Sequence, residues 1–169
     1  MRRFEEQISP HLGSAYNLAR WLTRNREDAE DAVQEAFLRA YSALDNLRGD
    51  NAKPWLLTIV RNTCLTWLKR ERGAPTVGLE ENLDHPTEPS PNPEAAVMIS
   101  ADRETVRQAL DQLPPEFREA IVLREIEGLS YKEIAAAVGA PVGTVMSRLS
   151  RGREWLRRVL STPKEEPAR

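Results

Sequence analysis

Apolar positions recur every three to four residues through most of the chain, which predicts helices rather than strands. Residues 4–22 place Ile8, Leu12, Ala15, Leu18, Ala19 and Leu22 on one face, with Pro10 early enough to be tolerated near a first turn. Asn25, followed three residues later by Asp28, offers the cap of a second helix. Its inner stripe is Ala29, Ala32, Val33, Ala36, Phe37, Ala40, Tyr41 and Leu44. Residues 45–53 are rich in Asp, Asn and Gly and predict a loop. Pro54 then opens a third helix to Arg72 that buries Leu56, Ile59, Val60, Thr63, Cys64, Trp67 and Leu68.

The periodicity collapses after Arg72. From Gly73 to Glu94 there are five prolines, five acids and no basic residue, so the stretch buries too little surface to fold alone and is expected to be a linker. Helical spacing resumes at Met98 with Val106, Ala109, Leu110 and Leu113; Pro114-Pro115 then starts a helix carrying Phe117, Ile121, Val122 and Ile126. The expected fold is all-α, about seven helices in two small domains. The boundaries are a first domain at 1–72, an acidic Pro-rich linker at 73–97, a helix-turn-helix domain at 98–160 and a frayed tail at 161–169.

The sharpest local signal lies between Ser130 and Arg153. Ser130 and Glu133 form the pattern of a capping box, and Ile134, Ala135 and Val138 make the inner stripe of a short helix. Gly139 can end it in a left-handed conformation, and Pro141 suits the first turn of the next helix. The turn has the length that a helix-turn-helix requires. On the second helix Val142, Val145 and Leu149 are expected to face inward, leaving Thr144, Ser147, Arg148 and Arg151 outward. Residues 141–158 hold five arginines and one glutamate, and side chains of this kind can reach base edges and phosphates in a major groove.

The overall net charge of −2 argues at first against a nucleic-acid binder, but its distribution changes the picture. Residues 1–72 carry twelve basic and ten acidic side chains, 73–100 none and five, and 101–169 twelve and eleven. Acidity is thus concentrated in the middle, and basic patches survive on both flanks. The single cysteine, Cys64, excludes an intramolecular disulfide, and the two histidines, His11 and His85, lack metal-ligand spacing. No metal, cofactor or catalytic constellation is expected. Neither a signal pattern nor a span of apolar residues sufficient for a membrane is visible, so a cytoplasmic protein without membrane insertion is expected.

Two further faces are not needed for a core. Asp31, Gln34, Glu35, Leu38 and Arg39 share one side of the second helix, a polar patch around one exposed leucine that suits docking onto another protein's helix. The third helix presents Arg61, Asn62, Thr66, Lys69 and Arg72 beside the polar loop and Trp55, a surface able to follow a phosphate backbone and hold an unstacked base.

Taken together, these segments resemble a bacterial sigma factor of the extracytoplasmic-function group. DAEDAVQEAFLRAY at 28–41 is similar to that family's core-polymerase-binding segment, and PWLLTIVRNTCLTWLKRER at 54–72 to the helix that opens the minus-ten element. LPPEFREAIVLREIEGLSYKEIAAAVGAPVGTVMSRLSRGREWLR at 113–157 is similar to the domain that reads the minus-thirty-five element. The resemblance implies that Asp31, Gln34, Glu35 and Leu38 meet core RNA polymerase. It implies that Arg48 and Asn51 of the loop, with Arg61, Asn62, Lys69 and Arg72, hold melted promoter DNA. Arg118, Lys132, Thr144, Ser147, Arg148 and Arg151 would contact the upstream duplex. An anti-sigma partner masking both domains is a further expectation. The competing reading is a free-standing helix-turn-helix regulator that binds duplex DNA without polymerase.

Overall fold

Pro10 divides the first expected helix in two. In the computed structural model, which describes residues 1–49, 51–72 and 93–161, α1 (Arg2–Ile8) gives way to a 3-10 turn at Ser9–His11 and α2 (Leu12–Thr23) follows. Of Arg72 and residues 93–102 only the backbone is described. Asn25 caps α3 (Arg26–Ser42) as expected, its side chain accepting from the Asp28 amide at 3.0 Å. A 3-10 turn at Leu44–Asn46 leads to α4 (Ala52–Arg72), which starts just ahead of Pro54.

Helices α2, α3 and α4 pack mutually, and the small side chains Ala15, Ala19, Ala29, Ala32, Ala36 and Ala40 are fully buried where they meet. Leu18, Leu56, Leu57, Val60 and Cys64 fill the space between. Two positions expected to face inward do not. Leu12 is 51% and Tyr41 53% exposed, because the break at Pro10 shifts the face of α2 and because Tyr41 lies over Phe4 of α1.

The second unit begins with α5 (Pro93–Gln112), starting at Pro93 rather than Met98 since a proline is well placed at the first helical position. The expected linker otherwise falls outside the described residues. After Pro114 come α6 (Pro115–Ile121) and one π-helical turn, Val122–Ile126, that no local pattern announced. Gly128, at φ 73°, leads into α7 (Tyr131–Val138), and α8 (Val142–Ser161) completes the unit. Gly152 lets α8 approach α6: a Cβ there would stand 3.0 Å from Cγ1 of Ile121.

Sequence left the relative placement of the two units open. They are packed together here, α7 against α4 and α6 with the π turn against α2, and their buried residues form one continuous cluster.

Candidate nucleic-acid interface

The helix-turn-helix is built as its residues dictate. Ser130 Oγ accepts from the Glu133 amide at 3.1 Å while a Glu133 carboxylate oxygen accepts from the Ser130 amide at 2.8 Å, so two amides at the α7 N-terminus are satisfied reciprocally. Gly139 ends α7 at φ 69°, its amide and that of Ala140 both donating to the Ala135 carbonyl. The Pro141 carbonyl accepts from the Thr144 and Val145 amides, which starts α8. Val145 and Leu149 are each 1% exposed and anchor α8 against the bundle.

The anchored face leaves a defined outer one. Ser147 and Arg151 are exposed, and Thr144 and Arg148 half-buried. Val142, expected inward, is 37% exposed, and Met146 one turn later is 52% exposed. Both lie on the outer face at the α8 N-terminus, where an apolar side chain can meet a thymine methyl. The i, i+4 spacing of Val142 and Met146 was available in sequence, but Val142 was assigned to the core stripe.

Electrostatics sorts the arginines of α8, which composition could not. Arg153 is paired with Glu125 and Arg158 with Glu154, whereas Arg148 and Arg151 enter no ion pair among the described residues. Arg124 lies over the Tyr131 ring, 4.8 Å from its centroid, and donates to the Leu129 carbonyl at 2.8 Å, bracing the approach to α7.

Arg118 requires correction. It was expected to face the upstream duplex, yet it is 6% exposed and points into the domain. Its guanidinium donates to the carbonyls of Leu110 at 3.0 Å, Asp111 at 2.9 Å and Leu113 at 2.9 Å. These carbonyls lie at and just past the end of α5, where intrahelical donors run out, although Leu110 also accepts from the Leu113 amide at 3.1 Å. Burial, and secondarily the positive charge of Arg24, lowers the Arg118 pKa from its ordinary value, and Asp111 opposes the shift. Arg118 is a clasp between α5 and α6.

In the first unit, Arg48, Asn51, Asn62 and Lys69 are exposed, while Arg72 closes α4 with its side chain outside the described residues. Arg61 departs from expectation. It is half-buried, forms an ion pair with Glu119 of the second unit, and donates to the Ala137 carbonyl at 3.4 Å. Arg48 and Asn51 line a groove of about 480 Å³ with Trp55 and, from the other unit, Lys132. The structure thus brings together side chains that sequence assigned to two separate DNA elements.

On α3, Asp31, Gln34 and Leu38 are exposed, Leu38 by 71%. Glu35 accepts from Arg39 at 2.6 Å, so its charge is partly compensated. Tyr41, one turn beyond Leu38, extends the apolar patch, its ring edge-on to Phe4 at 5.4 Å. Among the described residues no cluster of His, Cys, Asp and Glu could hold a metal ion, and no helix is long and apolar enough to cross a membrane.

Two family models match, and they fall on the two units. Residues 8–74 match Sigma-70 region 2, and residues 103–156 match Sigma-70 region 4. An RNA polymerase sigma-H factor of Pseudomonas aeruginosa is 42% identical over 167 residues, covering 94% of this chain and 86% of that one. The ECF RNA polymerase sigma-E factor of Escherichia coli is 42% identical over 135 residues, covering 75% of this chain and 71% of that one. The chain belongs to the extracytoplasmic-function (ECF) RNA polymerase sigma factors. The sigma factor SigE of Mycolicibacterium smegmatis is 39% identical over 168 residues; 99% of this chain is covered, and the chain spans 65% of that relative's length. Among solved structures, the sigma factor RpoE of Bartonella quintana, in complex with the anti-sigma factor NepR, superposes with a TM-score of 0.80. That match has 30% identity and covers 97% of this sigma factor and 100% of that chain. A superposition of such extent includes both regions, so their packing here is similar to that of a sigma factor held by its anti-sigma factor.

Proposed function

We propose that this sigma factor binds core RNA polymerase through the exposed patch of α3 and directs it to promoters by two DNA-contacting surfaces, without covalent chemistry of its own. Asp31, Gln34, Glu35 and Leu38 form the polymerase-docking patch, with Tyr41 added. Arg48, Asn51, Arg61, Asn62, Lys69 and Arg72 hold the melted minus-ten strand. Lys132, Thr144, Ser147, Arg148 and Arg151 contact the minus-thirty-five duplex, with Val142 and Met146 supplying apolar contacts. Its place of action is the compartment of the polymerase, the cytoplasm, and an anti-sigma factor is its expected inhibitor.

The observation that carries this reading is the outer face of α8, where among the described residues Arg148 and Arg151 enter no ion pair while Arg153 and Arg158 do. A base-reading arginine must be uncommitted, and a bidentate contact to guanine contributes roughly 1–3 kcal/mol of discrimination. The free-standing regulator is disfavoured by the region 2 match over residues 8–74.

Transcription in vitro provides the test. Core polymerase with this chain should initiate from a promoter selected from the host genome, and Arg148→Ala should reduce discrimination by about tenfold or more. Identical start sites with and without the chain would refute the proposal.

A further inference from the structure

Arginines dominate the composition of α8, yet the start of the helix holds none. Residues 142–147 are Val, Gly, Thr, Val, Met and Ser, and the first charged side chain of the helix is Arg148. In a helix-turn-helix the N-terminal residues of this helix are the ones that meet base edges. Val145 is buried in the bundle, whereas Val142 and Met146 are 37% and 52% exposed. As i, i+4 neighbours they form one apolar strip, with Gly143 and Ser147 exposed beside it.

Gly143 adds a second observation. Glycine weakens a helix relative to alanine, so its presence in one calls for a reason. Gly139 has its φ of 69°, and Gly152 has Ile121 3.0 Å from where its Cβ would stand. Gly143 is helical, and a Cβ there would meet nothing within 4 Å. No contact among the described residues calls for its missing side chain. What it provides is bare backbone beside Val142, Met146 and Ser147, over which a base edge can come close.

An apolar side chain pressed onto a polar base edge leaves a donor or acceptor without a partner, which costs affinity. The apolar group that the major groove offers is the C5 methyl of thymine. We infer that Val142 and Met146, with Gly143 beside them, form a thymine-methyl site, so that the start of α8 selects a thymine where an arginine would select a guanine. This rests on the reading of α8 as the upstream-duplex helix given above, and it names the base that the first turn takes. Arg148 and Arg151, further along the helix, keep the guanine and phosphate contacts.

The test uses the holoenzyme, core polymerase with the full chain, and an upstream element that the wild-type holoenzyme selects from a library randomised at the minus-thirty-five position. Each thymine of the selected element, on either strand, is replaced singly by deoxyuridine, which pairs as thymine does and lacks only the methyl group. At the thymine under the start of α8 the replacement should weaken promoter binding about fourfold, about 0.8 kcal/mol for one methyl. In the double variant Val142→Ala/Met146→Ala, which loses only exposed side chains, the same replacement should change binding by less than about twofold, since the cycle isolates the methyl contact. Arg151→Ala should weaken binding to both templates alike and leave the ratio between them in place. Gly143→Ala should weaken promoter binding without lowering the melting temperature, a combination that a purely structural glycine does not give. A selected element without thymine overturns the inference, as does insensitivity to deoxyuridine at every thymine, a ratio that survives in the double variant, or wild-type binding by Gly143→Ala. Loss of discrimination in Arg148→Ala with no response to deoxyuridine leaves the promoter reading of α8 standing and removes the thymine site alone. A wild-type holoenzyme that selects no upstream element fells both.

Discussion

Replacing Arg118 with alanine separates a scaffold role from a DNA role. The guanidinium bonds three carbonyls at the end of α5, of which the Leu110 and Leu113 contacts are buried. A hydrogen bond to a charged group contributes roughly 1.5–3 kcal/mol, and a buried acceptor left without a donor costs about 1–3 kcal/mol. Removing the arginine also removes the cost of burying its charge, and water can reach the partly buried Asp111 carbonyl. The Leu110 carbonyl keeps the Leu113 amide at 3.1 Å, so the orphaned Leu113 carbonyl dominates, which gives a loss of about 2 kcal/mol. For a unit of this size that corresponds to a fall in melting temperature of roughly 8–16 °C. Thermal and urea denaturation of Arg118→Ala, followed by circular dichroism, measures it. Arg118→Lys offers one ammonium where a fork is required and should recover only part of the loss. Duplex affinity of the folded fraction at low temperature should match wild type. A variant that melts within about 2 °C of wild type, yet loses upstream-element binding, would refute the scaffold assignment and return Arg118 to the DNA face.

Leu38→Ala should leave stability within about 0.5 kcal/mol, since an exposed side chain is removed, while weakening association with core polymerase about fivefold or more in a fluorescence titration. Gly139→Ala places a Cβ at φ 69° and should destabilise the helix-turn-helix by about 1–2 kcal/mol, read by urea denaturation. Burial raises the Cys64 pKa to about 12. Its thiol is therefore protonated in the folded chain at pH values where the unfolded chain ionises, and stability should fall between about pH 9 and 12 by about 1.4 kcal/mol per pH unit. Cys64→Ala should flatten that slope in a pH series of unfolding midpoints.

The helices and the helix-turn-helix were legible because their signals are local. The Asn25 cap, the Ser130–Glu133 box and the positive-φ glycine at 139 each depend on residues within one turn of one another, and all three form as expected. The π turn at Val122–Ile126 was not legible, since the same apolar spacing suits an α-helix continued to Ile126. Arg118 was misread for a related reason. An arginine three residues after two prolines has the same local pattern whether it points outward or folds back over the preceding helix end. Only the reversal of the chain at Pro114 brings the carbonyls of Leu110 and Leu113 within its reach.

The arginines show a stricter limit. Whether a cation is available for DNA depends on which acids the tertiary structure sets beside it, and those acids are remote in sequence. Arg61 and Glu119 are separated by 58 residues, and Lys53 and Glu127 by 74. Periodicity places Arg61 on the solvent side of α4 in region 2 taken alone. Docking of region 4 then converts the same position into a half-buried ion pair. A residue whose surroundings change this much with the arrangement of two domains has no single exposure that a sequence could encode.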